Sequence, residues 1–261
     1  MNNRLCFVVA AAMAVCGCQN NGKTAAAEAG AAADNTLEET ADSVQQPEET
    51  KEVTDIASFG LKGPVKEIIT TTYDATEDPD GTLQKLNESE AYPRDTISFN
   101  AQGMVTRDPF GGVYVYDAAG NFVRGVSEKS VMKRDTKNRV VYYCQRNDDE
   151  DDAMFENELL YDDLGRIHRV VRTFWESTTT MTYSYGSDDG FYPIKCHIES
   201  LDEGFHITSD MEYNYTEFDD SGNWIERELR YNGTETEEGV EEDSTTTWKG
   251  QLIERREIVY Y

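Results

Sequence analysis

The chain has 261 residues, 38% of them hydrophobic, and sets 51 acids against 24 lysines and arginines for a formal net charge of -27. A surface that acidic repels phosphates, which excludes nucleic acid as a partner and rules out adhesion to anionic lipid headgroups through a basic patch. The length leaves room for one large domain with a real core.

At the N-terminus a single cation, Arg4, precedes an apolar run from Leu5 to Val15. A positive start, a short apolar stretch and a small residue before the cut describe a secretory signal, too short to remain as a membrane-spanning helix. Val15-Cys16-Gly17-Cys18 then resembles the lipobox of bacterial lipoproteins. The resemblance implies removal of residues 1–17 and acylation of Cys18 on its sulfur and amine. Gly17 suits cleavage before Cys18, whereas branched Val15 does not suit cleavage before Cys16. Cleavage removes one cation and no acid, so -27 becomes -28. The bilayer contact is then made by acyl chains, of which two or more give stable anchoring. Gln19 stands where an Asp would favour inner-membrane retention, so the resemblance favours the outer membrane. Lys23 is followed by Thr24 and Ala25 in place of acids, a poor match to surface-export signals; periplasmic and surface faces both stay open. The bland alternative treats Cys16 and Cys18 as filler in an ordinary signal peptide.

Residues 18–58 hold little that packs. Thr24 to Ala33 is mostly alanine, Glu38 to Glu52 is rich in Glu, Asp, Gln and Ser, and only Lys23 and Lys51 oppose the acids. Few large apolar side chains with excess like charge predict a disordered acidic tether. The folded domain is expected over 59–261, where most of the 15 Tyr and 10 Phe fall.

Within it a short pattern recurs: an aromatic, Asp or Asn, a spacer, Gly, then an apolar residue. It runs Phe99-Asn100 to Gly103-Met104, Tyr116-Asp117 to Gly120-Asn121-Phe122, Tyr161-Asp162 to Gly165-Arg166-Ile167, and Phe218-Asp219 to Gly222-Asn223-Trp224. Arg134-Asp135 to Asn138-Arg139-Val140 is a variant in which Asn138, which also tolerates positive φ, takes the glycine place. Asp at a turn start bonds the backbone two residues on, and Gly in the left-handed region closes the hairpin. Gly103, Gly120, Asn138, Gly165 and Gly222 are therefore the expected structural turn positions. The flanks alternate with period two: Ile207, Met211, Tyr213 and Tyr215 against Thr208, Asp210, Glu212 and Asn214, and Thr179, Met181, Tyr183 and Tyr185 against Thr180, Thr182 and Ser184. Such alternation marks half-exposed antiparallel strands.

Tyr161-Asp162-Asp163-Leu164-Gly165-Arg166-Ile167 resembles the tyrosine-aspartate (YD, or RHS) repeat. The region from Leu61 to Tyr261 is similar to uncharacterised envelope lipoproteins with degenerate YD-like repeats. That resemblance implies coiled strands and carries no catalytic residue. The fold expected is all-β: an antiparallel meander of repeated β-hairpins forming a twisted sheet or a partly rolled barrel.

Three insertions interrupt the pattern: Asn147 to Asp152, Gly186 to Gly190, and Asn232 to Asp243. The acids Asp148 to Asp152 lack the glycine and spacing of a calcium loop and read as a solvated face. His168, His197 and His206 lack metal-ligand spacing, and alternation turns His197 and His206 to water. Cys144, alternating with Val140 and Tyr142, and Cys196, with Ile194 and Ile198, are expected in the core, as two separate thiols or as a disulfide that an oxidising envelope allows. Near the end, Leu252, Ile258 and Tyr260 share one face and Ile253, Val259 and Tyr261 the other, which predicts an integral last strand covered on both sides or paired deep in the sheet.

No phosphate loop, nucleophile elbow or His-Glu-x-x-His occurs. The expectation is a non-enzymatic lipoprotein with no cofactor, metal or catalytic residue. It is held to the lipid bilayer through Cys18 and presents a β-sheet surface to an envelope protein or a glycan. The alternative is a carbohydrate-active or other hydrolytic enzyme on the same tether, which abundant carboxylates do not exclude.

Overall fold

The computed structural model describes residues 54–108, 112–146, 153–175, 177–186, 190, 192–202, 204–237 and 244–261. Cys18 and the acidic runs at 147–152 and 238–243 lie outside the described residues.

A one-turn helix, α1 (Asp55–Ser58), is followed by strands: β1 (Val65–Glu77), β2 (Leu83–Glu88), β3 (Asp95–Phe99), β4 (Val105–Arg107), β5 (Val115–Tyr116), β6 (Phe122–Arg124), β7 (Val131–Arg134), β8 (Val140–Arg146), β9 (Ala153–Tyr161), β10 (Ile167–Phe174), β11 (Ser177–Tyr185), β12 (Pro193–Asp202), β13 (Phe205–Phe218), β14 (Trp224–Glu237) and β15 (Ser244–Tyr260). Thirteen of them form one antiparallel sheet in the order β4-β3-β1-β15-β14-β13-β12-β11-β10-β9-β8-β7, with β2 added to β1. β5 and β6 form a separate hairpin. The last strand thus lies beside the first, Ile68 facing Ile258. The sheet is the expected antiparallel meander of hairpins, in its rolled form. It does not close into a barrel, because its end strands β4 and β7 do not pair.

Rolling follows from the strands' right-handed twist and from the bulges that several pairs contain. It buries one face of the sheet. Met181, Cys196, Ile198, Met211, Leu229 and Leu252 form one core cluster, and the loop residue Tyr92 inserts into it. A second cluster joins the two ends of the sheet: Ile97, Phe99 and Val105 from one side pack with Met132, Val140, Tyr143 and Phe155 from the other. The outward face is polar. Lys195 bonds Glu212 at 2.6 Å, His197 bonds Asp210 at 2.7 Å and Thr208 bonds Thr234 at 2.7 Å, each across neighbouring strands. A strand that spans a bilayer needs the reverse, an apolar band facing out.

Three sequence expectations need correction. The folded part begins before Phe59: Asp55, Ile56 and Ser58 are buried and Ile56 N–H donates to the Gly103 carbonyl at 3.0 Å, so residues 54–58 belong to the domain and not to the tether. Asn232 to Glu237 are not an insertion but the end of β14, paired with Ser244 to Lys249. Ile194 does not share the burial of Cys196; a register shift between Ser184 and Tyr185 turns it outward. The C-terminal strand is paired on both sides, with β1 and β14, while Val259 and Tyr261 are exposed.

Candidate functional site

Consecutive antiparallel strands put every second connection at one end of the sheet. The turns at Asn100, Asp135, Asp162 and Asp219, together with the chain's arrival at Thr54 and the terminal Tyr261, share one end; the β10–β11 and β12–β13 connections share the other. The five turn positions read from the sequence all have positive φ: Gly103 79°, Gly120 85°, Asn138 64°, Gly165 83° and Gly222 80°. Their chemistry repeats. Asp162 N–H donates to the Arg166 carbonyl at 2.9 Å, Gly165 N–H to the Asp162 carbonyl at 2.9 Å, and Arg166 N–H to Asp162 Oδ1 at 2.8 Å. A sixth turn of this kind, Asp78 to Thr82 with Gly81 at φ 88°, joins β1 to β2. It escaped sequence reading because Glu77 stands where the aromatic was sought.

The arginine after the turn glycine has a second role. Arg166 pairs with Asp162 at 2.7 Å and lies 4.1 Å from the ring centre of Tyr185, whose hydroxyl donates to the Ile167 carbonyl at 2.7 Å. One hairpin earlier, Arg139 pairs with Asp135 at 2.6 Å under the ring of Tyr161, also at 4.1 Å, and the Tyr161 hydroxyl donates to the Val140 carbonyl at 2.8 Å. Asp fixes the turn, Arg neutralises Asp, and the tyrosine of the next hairpin covers Arg. At the last turn Tyr260 takes over, donating to Asp219 and accepting from Asn223 Nδ2 at 2.7 Å.

Between the two core clusters lies a charged layer. Arg227 and Glu254, on β14 and β15, are enclosed and bonded to each other. Arg227 stacks on Trp224 at 4.4 Å and Arg256 on the same indole at 3.6 Å. Asp95, at the start of β3, is pushed up to about 7 by burial and by the Glu254 charge.

Beneath the gap between β4 and β7 the rolled sheet forms a partly open cavity of about 100 Å³. Phe59, Val105, Met132, Val140, Leu159 and Val170 supply hydrocarbon walls. Its polar wall is fully engaged within the fold: Arg172 Nε donates to Asn157 Oδ1 at 2.8 Å, Asp108 accepts from the Tyr114 hydroxyl and from Gly112 N–H at 2.8 Å, and Asp55, beside Ser58, accepts from Arg134 at 2.7 Å. Burial lowers the Arg172 pKa against the Asp108 charge, and raises that of Tyr114. Sequence alternation did not reveal this site, because it is assembled from α1, β4 and β7 to β10, far apart in the chain.

At the opposite end from Thr54, Trp175 caps the β10–β11 hairpin. It is 78% exposed, has φ 53°, and stacks on half-exposed Phe174 with rings 5.8 Å apart and 12° from parallel. Leu201, 55% exposed, sits across β11, paired with Thr178 by position on β12. A non-glycine residue in the left-handed region carries backbone strain, and such strain concentrates at functional positions.

Cys144 and Cys196 are both buried, and neither is in a disulfide. Cys196 is in the core, but Cys144 faces away from Tyr143, next to Glu156 at 3.7 Å and Arg146 at 3.3 Å. Among the described residues no group of three or more His, Cys, Asp or Glu converges as a metal site would require, and no helix is long and apolar enough to cross a membrane.

No family model matches the chain, and no curated protein matches it. Solved structures do: a porin-like protein from Bacteroides uniformis is 12% identical, with 76% of this chain and 98% of that chain covered and a TM-score of 0.33. A likeness that loose carries no functional argument.

Proposed function

We propose that the chain is a non-enzymatic envelope lipoprotein, held to the bilayer by acylated Cys18, whose rolled sheet presents a binding surface for an envelope protein or a glycan. The observation that carries this reading is Trp175. An indole left largely in water on a strained backbone gains only its stack on Phe174, and Trp is among the side chains enriched at the centre of binding surfaces. Its placement agrees with the tether: chain arrival at Thr54 and Trp175 are at opposite ends of the sheet, so the tip is the end farther from the tether's attachment. The acidic exterior favours neutral or cationic partners.

A hydrolytic enzyme is the second reading, favoured by Asp95, a carboxyl that holds its proton near neutral pH beside a second carboxylate. Against it, Glu254 is enclosed and already bonded to Arg227, which leaves no path for a substrate to reach both carboxyls.

The test pairs two variants. Cys18→Ala should move the protein out of the membrane fraction, or leave it uncut. Trp175→Ala, still anchored, should lose most of the envelope protein or glycan that the parent retains after detergent extraction. Equal retention by Trp175→Ala would reject the binding tip, and membrane attachment of a processed Cys18→Ala would reject the anchor.

A further inference from the structure

We propose that the cavity beneath the seam is a binding site for a small neutral amphiphile: a compact aromatic or branched hydrocarbon body with one head group, a hydroxyl or an amide, that both donates and accepts a hydrogen bond. This goes beyond the surface reading, since it uses the inner face of the sheet and holds whether or not the chain is acylated.

Size comes first. A single water needs roughly 10–15 Å³ of cavity, and an apolar cavity of about 150 Å³ accepts benzene and stays dry. The space here, about 100 Å³, lies between these and is lined mainly by hydrocarbon from Phe59, Met132, Val140, Leu159 and Val170. Water gains few hydrogen bonds against such walls, whereas a compact hydrocarbon gains dispersion contacts.

Head-group chemistry follows from the polar wall. Three charged groups line the cavity: Asp55, which Arg134 already neutralises, and Arg172 and Asp108, one of each sign. The last two are each already served by a neutral partner, Asn157 for Arg172 and Tyr114 for Asp108. A ligand carboxylate would repel Asp108 and a ligand ammonium would repel Arg172, both at low dielectric where such repulsion is strong. A neutral group that donates toward one side and accepts from the other disturbs neither.

Access follows from topology. β4 and β7 share no main-chain ladder, the pocket is already partly open to solvent, and Phe59 and Met132 on its wall are half-buried. Rotamer changes there widen the path without breaking strand hydrogen bonds.

Four molecules of one shape separate the possibilities: benzyl alcohol, toluene, benzoate and benzylamine, titrated into the full-length chain. Binding is read by ligand-observed NMR and by thermal shift. Benzyl alcohol should bind saturably, in the micromolar to millimolar range expected of about eight heavy atoms. Toluene should bind more weakly, and the two ions should bind least. Met132→Trp and Leu159→Phe, which fill the space from half-buried positions, should each weaken benzyl alcohol by about tenfold or more. The unliganded melting temperature of at least one of them should stay near the parent's. Absence of saturable binding by all four overturns the site. So does binding that both filling variants leave unchanged, which would mean an adventitious surface location. Benzoate or benzylamine binding as tightly as the alcohol overturns the neutral head group.

Discussion

Asp55 and Arg134 clasp the two ends of the sheet: Arg134 Nη1 meets Asp55 Oδ1 at 2.7 Å and Nη2 meets Oδ2 at 3.0 Å. Asp55 Oδ2 also accepts the Val105 N–H at 2.9 Å, so a single carboxylate holds β7 on one side and β4 on the other where no strand ladder does. Arg134 in turn donates to the Asn138 carbonyl at 2.8 Å, which links the clasp to the β7–β8 turn.

Removing one partner of a buried pair leaves the other charge uncompensated. Asp55→Ala should therefore cost about 3 kcal/mol in urea unfolding, since Asp55 is almost fully enclosed. The double variant Asp55→Leu with Arg134→Met should recover much of that loss. Additive losses in the cycle would show that the clasp contributes no pairwise stability.

Much of this architecture is legible in the sequence, for physical reasons that differ by element. Gly165 and Asn138 announce their turns because only such residues accept positive φ without penalty, and Met211-Glu212-Tyr213 announces a strand because side chains alternate across a sheet. The clasp is not legible. Asp55 lies in a run of acids that reads as tether, and nothing local distinguishes the one carboxylate that meets an arginine 79 positions later. The seam cavity is hidden for the same reason, and Val140 enters it only because a register shift between Lys133 and Arg134 changes which residues point inward.

The turn ladder makes a prediction about tyrosine. The Tyr185 ring covers Arg166 and its hydroxyl bonds the Ile167 carbonyl. Tyr185→Phe keeps the ring and should cost about 1 kcal/mol, the net worth of one hydrogen bond. Tyr185→Leu removes both and should cost more. Arg166→Lys, which loses the planar stack while keeping charge, should fall between the parent and Tyr185→Leu. Equal melting temperatures for Tyr185→Phe and Tyr185→Leu would show that the cation–ring contact is worth nothing.

Asp95 predicts a pH dependence. In the unfolded chain its carboxyl loses its proton near 3.8, while in the fold burial and Glu254 hold the proton to about 7. Between these values the folded state binds more protons than the unfolded one, so Asp95 makes stability fall as pH rises from about 4 to about 7, after which the effect is flat. Asp95→Asn removes that slope and should stabilise the protein at pH 8 by on the order of 1–3 kcal/mol, discounted for the partial exposure of the site. Chemical melts of parent and variant at pH 5 and pH 8 decide it. A difference that does not change with pH sinks the assignment.

Glycine substitutions separate strain from crowding. Gly120 has φ 85° with nothing within 4 Å of an added Cβ, so Gly120→Ala reads backbone strain alone, about 1 kcal/mol. Gly222→Val meets only the flexible end of Lys62 at 3.0 Å, so its cost of roughly 1–3 kcal/mol is again mostly strain. Gly250 is different: it has no positive φ, but a Cβ there would strike the Tyr231 ring and hydroxyl. Gly250→Ala should cost about 1–3 kcal/mol through overpacking, and Tyr231→Phe should relieve part of it. If Gly250→Ala is neutral, the ring does not lie over that glycine.

The C-terminal residues should be indispensable. Ile258 faces Ile68 across the junction of the last and first strands. Tyr260 closes the Asp219 turn through its bonds to Asp219 and Asn223, and Asn223 in turn bonds Lys62 through both its side-chain oxygen and its amide nitrogen, at 2.8 and 2.9 Å. Tyr261 N–H donates to the Pro64 carbonyl at 3.0 Å and its hydroxyl to the Phe99 carbonyl at 2.7 Å, tying β15 to β3 across β1. Deleting 258–261 removes this junction and exposes the neighbouring core. Each large apolar side chain lost from a buried place is worth about 1.5–3 kcal/mol, and several together rival the whole stability of a domain. The truncated chain should accumulate as degraded or aggregated material, with loss of near-ultraviolet circular dichroism in any soluble fraction. Tyr260→Phe is the milder test, since it keeps the ring and deletes only the hydroxyl that serves Asp219 and Asn223; it should cost about 1–3 kcal/mol, because two partly buried polar groups lose a partner at once. A soluble truncation with the parent's melting temperature would mean that β1 and β14 hold the sheet together without the end of β15, and that the junction of first and last strands is not what fixes the roll.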